Sequence, residues 1–334
     1  MVSAGDRRRR PFVSEPAAFR RVICIVGPTA SGKSALSELV AQRLGSSVVS
    51  VDAMQVYRGM DVGTAKTPVG ERRVPLLMVD VANVDEDYSV QRFQHDARSC
   101  VDELLERGAV PVLCGGTGLY LDAVIDEMDF PSGEMGDDRR LRYERIAAEQ
   151  GAEALHALLA KRDPESAALI HPNNVRRCVR ALEMLDEGVS YAQNHEGLKR
   201  HVPHYDAHIW AISMPRELLY ERIDQRVDRM FEDGLVEEVR SLRGRGLDRA
   251  HTAGQAIGYK EVLAALAGEC SFEEARDEVK RRTRRYAKRQ LSWLKRDGRA
   301  RWIDIGEMGA EKACELIVRD GLAKPEPCNA VERG

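Results

Sequence analysis

The sequence predicts an α/β fold, a parallel sheet core of phosphate-loop type interrupted by an inserted all-helical domain. Three observations predict it. The continuous apolar run Arg21-Val22-Ile23-Cys24-Ile25-Val26 leads directly into a glycine-rich loop and a helix. Strand-like and helix-like segments then alternate, the pattern of a parallel sheet with crossover helices. From about Asp129 to about residue 200, strand formers thin out and Ala, Arg, Glu and Leu dominate.

The first run has no polar alternation, as expected for a strand buried on both faces. After the loop, Leu36, Leu39, Val40 and Leu44 recur at helical spacing, and Gly45 fits the C-terminal cap. Ser47-Val48-Val49-Ser50-Val51 is a second strand ending at Asp52, and Val110-Pro111-Val112-Leu113-Cys114 a third ending at Gly115-Gly116. Pro131, Gly133 and Gly136 mark the break into the helical block. His208 to Met214 returns as a strand, and Pro215 opens a helix that Gly234 closes. A long basic helix spans about Phe272 to Arg296, and Arg301-Trp302-Ile303-Asp304-Ile305 closes the sheet. Residues 20–128 and 203–308 are thus assigned to the core and 129–202 to the insertion, with 1–19 and 324–334 as loose tails.

With 43% hydrophobic and 31% charged residues, the chain is globular with a heavily charged surface. No apolar run is long enough to span a bilayer. Arg7-Arg8-Arg9-Arg10 lacks the apolar stretch a secretory signal requires. A cytoplasmic, membrane-free protein is therefore expected; a monomer is also expected, although nothing in the sequence sets the oligomeric state. The seven cysteines are scattered with no CxxC, which argues for reduced thiols rather than disulfides or zinc.

Gly27-Pro28-Thr29-Ala30-Ser31-Gly32-Lys33-Ser34 matches GxxxxGK[ST] completely, between a strand and a helix. This makes the core P-loop NTPase-like. Loop N–H groups and the helix N-terminus favour a diphosphate or triphosphate. Lys33 is expected on the phosphate oxygens and Ser34 on Mg2+. The loop alone does not name the ligand. A nucleotide kinase adds an apolar strand ending in a metal-holding Asp, and Leu76-Leu77-Met78-Val79-Asp80 is the best candidate for one. Asp52 ends a strand near the loop; a catalytic base, a helix cap and a carboxylate just outside the metal's ligands all fit it. Arg222 is a candidate for diphosphate contact, with a surface ion pair as the alternative.

Several segments resemble the tRNA dimethylallyltransferase family, in the family's order. They are Asp52 to Lys66; Tyr88-Ser89-Val90; Gly115-Gly116-Thr117-Gly118-Leu119-Tyr120; His171-Pro172-Asn173-Asn174-Val175-Arg176-Arg177; Gln255-Ala256-Ile257-Gly258-Tyr259-Lys260; and Thr283 to Gln290. The resemblance implies that dimethylallyl diphosphate occupies the loop and that the acceptor is an adenine N6 in a tRNA anticodon stem-loop. It implies that Asp52 acts as the base and Thr117 near the reacting amine, the other role for Thr117 being a turn cap. A base modified within a loop must leave its stack. The resemblance places Asp52, Ala53, Met54 and Gln55 around that base. It assigns further RNA contacts to Arg142, to Arg176, Arg177, Cys178, Val179 and Arg180, and to Gln255. Two departures stand out: Ala53 replaces the family's usual serine, and Leu76-Leu77 replaces a frequent histidine pair.

Charge points to RNA independently. Lys280 to Arg296 carries nine Lys or Arg and no acid. Val279, Thr283, Tyr286, Gln290, Leu291 and Leu294 form one helical face for packing, leaving Arg281, Arg284 and Lys288 for phosphates. Core packing is also expected of Tyr286 and Trp293. The competing reading is an ATP-dependent nucleotide or small-molecule kinase, and a non-enzymatic RNA-binding regulator is the third.

Overall fold

The computed structural model describes residues 20–130, 138–197 and 201–322. The expected tails, the Arg7–Arg10 run and the break residues Pro131, Gly133 and Gly136 lie outside the described residues.

In chain order the elements begin β1 (Arg21–Val26), α1 (Lys33–Arg43), β2 (Val48–Ser50), β3 (Leu76–Leu77), α2 (Val90–Glu106), β4 (Val112–Gly115) and α3 (Gly118–Ile125). Five helices follow: α4 (Asp138–Gln150), α5 (Ala152–Arg162), α6 (Pro164–Leu169), α7 (Val175–Asp186) and α8 (Tyr191–Gly197). The chain then forms β5 (Asp206–Ser213), α9 (Arg216–Glu232), α10 (Leu235–Arg243), α11 (Tyr259–Leu266), α12 (Phe272–Leu294), β6 (Arg301–Asp304), α13 (Ile305–Met308) and α14 (Ala310–Leu322).

The six strands form one sheet in the order β3-β2-β4-β1-β5-β6, and every pairing is parallel. β1 is central. Its residues Val22 to Val26 are fully buried, with Val22, Cys24 and Val26 in the core on one face and Ile23 and Ile25 in that on the other. The two-sided burial explains the unbroken apolar run. On the first face α2 supplies Phe93, Ala97, Val101 and Leu104, a stripe at spacings of four, four and three. Ser89 caps this helix, its hydroxyl accepting from Arg92 N at 3.2 Å. On the second face α1 and α14 supply Leu36, Val40 and Ile317.

The order places β2, β4 and β1 side by side, with their C-terminal ends at one edge. Asp52, Thr117 and the phosphate loop follow those three ends, where open parallel sheets bind ligands. Leu76 and Leu77 form the half-buried edge strand, one packing on each core, so in this chain the two leucines serve packing.

The chain leaves the core after Asp126 and returns at Pro203, and these two residues form an antiparallel bridge. Glu127 N donates to the Val202 carbonyl at 2.7 Å. Between them α4 to α8 enclose a separate core that includes Tyr143, Leu155, Leu159, Cys178 and Leu182. No described helix is long and apolar enough to cross a membrane.

Candidate active site

The phosphate loop leaves β1 at Gly27. Gly32 adopts φ 89°, the left-handed turn that aims the start of α1 back at the loop. Lys33 and Ser34 on the first turn of α1 line a cavity of about 400 Å³ together with Thr29, Asp52, Thr117, Arg226, Tyr286 and Arg289. Lys33 Nζ donates to the Pro28 carbonyl at 3.2 Å. Desolvation holds its ammonium below the ordinary lysine range, and nearby Arg226 adds to this; Cys114 and Asp52 oppose it. Burial lowers Arg226 as well, with Asp52 again opposing. One carboxylate thus faces two desolvated cations across the cavity, and an anionic ligand would relieve both.

Asp52 follows β2. Its Oδ1 accepts from Met54 N at 2.9 Å and from Gln55 N at 3.4 Å, an Asx turn that fixes the side chain. The helix-cap role foreseen for it does not apply, since a turn and not a helix follows; the carboxylate braces that turn with one oxygen. The other makes no hydrogen bond among the described residues. Thr117 opens α3 but makes no side-chain cap bond. Its Oγ1 instead lies 3.4 Å from the Tyr286 hydroxyl and accepts weakly from Ala53 N at 3.5 Å. That last contact uses the backbone, so the Ala53 departure leaves it intact. Tyr286 is pushed up to about 12, first by burial and then by the Asp52 charge, so its hydroxyl stays protonated. It lines the cavity rather than packing in the core.

Gln290 ties the phosphate loop to the β4–α3 turn. Its Oε1 accepts from Thr29 N at 2.9 Å, and its Nε2 donates to the Gly116 carbonyl at 2.9 Å. Two glycines make this junction possible. A Cβ on Gly116 would lie 2.2 Å from Gln290 Nε2, and one on Gly118 would lie 2.1 Å from the Trp293 ring. Helix α12 therefore docks directly onto the loop after β4, and Trp293 packs as expected.

Other expectations need correction. Arg222 is exposed and does not line the cavity; Arg226, one turn later on α9, does. Asp80 follows the sheet's outer strand and binds the buried Lys66 ammonium at 2.6 Å, so it is a structural partner and not a metal-holding Asp. Cys178 and Val179 are fully buried in the helical domain's core and offer no surface to RNA. Five consecutive helical residues span more than one turn of 3.6 residues and cannot all face one way. Of that segment, Arg176 and Arg177 are exposed, and Arg180 lies within 3.8 Å of Glu183. Arg142 is exposed but bonded to Asp186 and to the Tyr143 hydroxyl. His171 is exposed, and its Nδ1 accepts from Asn173 N at 3.2 Å.

The basic helix is partly neutralised. Lys280 pairs with Asp228, Arg281 with Glu278, Arg282 with Glu261 and Glu278, and Arg284 with Asp224. Arg285, Lys288, Arg289, Lys295 and Arg296 have no ion pair among the described residues, so the unpaired charge lies toward the helix's C-terminal half. Arg289 reaches the cavity and lies over the Tyr286 ring at 5.6 Å. Ala53, Met54, Gln55 and Gln255 also line the cavity. Tyr259 and the loop Gly63-Thr64-Ala65 line it too, although sequence reasoning gave them no role.

Known proteins place this arrangement. The IPP transferase profile matches residues 55–297, and the isopentenyl transferase profile matches residues 20–73. A tRNA dimethylallyltransferase of Streptomyces coelicolor is 48% identical over 86% of this chain and 91% of its own. One of Carboxydothermus hydrogenoformans is 43% identical over 90% and 97%. The solved tRNA isopentenylpyrophosphate transferase of Bacillus halodurans superposes with TM-score 0.66 at 39% identity, covering 90% of this chain and 98% of that one. A eukaryotic dimethylallyltransferase acting on tRNA superposes with TM-score 0.75 at 28% identity, covering 92% and 81%. These relatives do not favour the kinase reading, and the chain belongs to the IPP transferase family.

Proposed function

We propose that this chain transfers the dimethylallyl group from dimethylallyl diphosphate to N6 of the adenosine on the 3′ side of the anticodon, in tRNAs reading codons that begin with U. The observation that carries the reading is the pairing, in one cavity, of a complete phosphate loop with Asp52 and Thr117 on neighbouring strand ends. Strand β4 beside the loop ends in glycine rather than in a metal-holding acid.

Loop amides and Lys33 hold the diphosphate, with Arg226 rather than Arg222 as the additional cation. As the allylic carbon–oxygen bond breaks, negative charge grows on the diphosphate and these fixed donors stabilise it. The adenine N6 lone pair is delocalised into the ring and attacks weakly. The unbonded oxygen of Asp52 accepts the N6–H proton, and Thr117 with Tyr286 orients the amine. Met54 and Gln55 flank the base, and Arg285, Lys288 and Arg289 meet the RNA backbone. Ser34 lines the cavity and carries a hard hydroxyl oxygen of the kind Mg2+ takes, so it would hold the ion together with the diphosphate. When bound, the ion would offset charge on the leaving diphosphate.

A thermal-shift comparison tests the ligand. Binding to the folded state raises the melting temperature. Dimethylallyl diphosphate should raise it more than ATP at equal concentration, and the opposite ranking would favour a kinase.

A further inference from the structure

Loop 58–66 forms one wall of the cavity but contains no strand or helix. Its backbone donors are met from far along the chain. Glu238 on α10 accepts from three successive amides, Asp61 N at 2.9 Å and Val62 N at 2.8 Å on Oε2, and Gly63 N at 3.1 Å on Oε1. The buried Tyr259 hydroxyl donates to Oε1 at 2.6 Å. A single carboxylate thus receives four hydrogen bonds, and charge-assisted bonds of this kind are the stronger class. The Tyr259 ring also lies against Gly63, where a Cβ would come within 2.4 Å of it.

The held loop in turn sets two cavity side chains. The Thr64 carbonyl accepts from Gln55 Nε2 at 3.3 Å and from Arg226 Nη2 at 3.4 Å. The Gln55 Oε1 accepts from the Ser50 hydroxyl at 2.8 Å, so its amide is fixed at both ends. Its orientation decides which edge pattern it offers to a purine.

We propose that Glu238 is a positioning residue for the transfer reaction: by capping the 61–63 amides it fixes the Thr64 carbonyl, and through it the Gln55 amide that reads the acceptor base. The inference rests on the function proposed above. Glu238 does not itself line the cavity. Its removal should therefore weaken acceptor recognition while the phosphate loop, held separately by Gln290, keeps its diphosphate.

The first test needs no catalysis. Hydrogen exchange in Glu238→Ala should accelerate over residues 58–66 and stay native over 21–34. Native protection at 58–66 would overturn the proposal whatever reaction the enzyme performs. The second test is kinetic. Glu238→Ala should raise KM for an anticodon stem-loop about tenfold, as expected when hydrogen bonds that orient a reading group are lost. KM for dimethylallyl diphosphate should rise less, by about twofold at most, because Arg226 meets the same carbonyl through only one long bond of 3.4 Å. Glu238→Gln, which keeps one carbonyl acceptor, should fall between the two proteins. In a Gln55→Ala background, Glu238→Ala should add little, because the two act through one contact. A fall in kcat with both KM values native, or full additivity with Gln55→Ala, would reduce Glu238 to general stability. Absence of prenyl transfer by the native protein would overturn the functional reading and leave the exchange result to decide the loop's support.

Discussion

Gln290→Leu isolates the brace between the phosphate loop and the turn that carries Thr117. Leucine has nearly the same volume, so little packing is lost. Two hydrogen bonds of 2.9 Å disappear, leaving Thr29 N–H and the Gly116 carbonyl without their partner. Gln290 is only 5% exposed, so water cannot readily replace it. Each bond contributes about 1 kcal/mol net, and a buried unpaired group costs about 1–3 kcal/mol, so a loss of about 2–4 kcal/mol in stability is expected. Urea unfolding followed by circular dichroism measures it. The midpoint should fall while the slope stays native, since the surface exposed on unfolding is unchanged. Prenyl transfer under folded conditions should fall about a hundredfold, the penalty for misplacing reacting groups by about 1 Å. Native stability together with a native rate would refute the claim that Gln290 joins the two halves of the site.

Arg226→Ala should raise KM for the diphosphate about ten- to a hundredfold, because a hydrogen bond to a charged group contributes about 1.5–3 kcal/mol, whereas the exposed Arg222→Ala should stay within about twofold; equal effects would contradict the assignment. Lys288→Glu with Arg285→Glu should lower the salt dependence of RNA binding by about one to two counterions, whereas reversal of Arg281, already paired with Glu278, should change it less. Asp122 is pushed up to about 7 from an ordinary 3.8, first by burial and next by Asp126. The folded state therefore keeps this proton after the unfolded chain has lost it, so Asp122 reduces stability as pH rises from 3.8 to about 7. Asp122→Asn should gain stability relative to the native protein across that window in urea unfolding at stepped pH, and parallel pH curves would contradict the assignment.

The readable parts of the sequence were those with local causes. The phosphate loop was legible because eight consecutive residues, a buried strand and a helix agree. The inserted helices were legible because composition changes where the chain leaves the sheet. What escaped depends on distant partners. The two-residue strand β3 is too short to show a pattern, and the strand-like run to Asp80 bends at Met78 and Asp80, both at positive φ. The basic helix reads as an unbroken charge run, yet the acids that neutralise Lys280 and Arg284 come from α9, more than fifty residues earlier. Arg222 and Arg226 stand one turn apart, and only the packing of α9 decides which enters the cavity. Tyr286 matched a core spacing, but that face of α12 is shared between the core and the cavity. Residues 61–65 belong to a segment that resembles the family, but their place in the cavity was not legible, because their order comes from Glu238, about 175 residues later.

Transfer of radiolabelled dimethylallyl from its diphosphate to unmodified tRNA, with Mg2+, for the native protein and Asp52→Ala, tests the central claim most directly. The native protein should place label on adenine N6, and Asp52→Ala should lose most of the rate while still binding tRNA. Equal loss of binding and transfer would remove Asp52 from the role of base. No label with the native protein, alongside ATP consumption on a small acceptor, would contradict the transferase account.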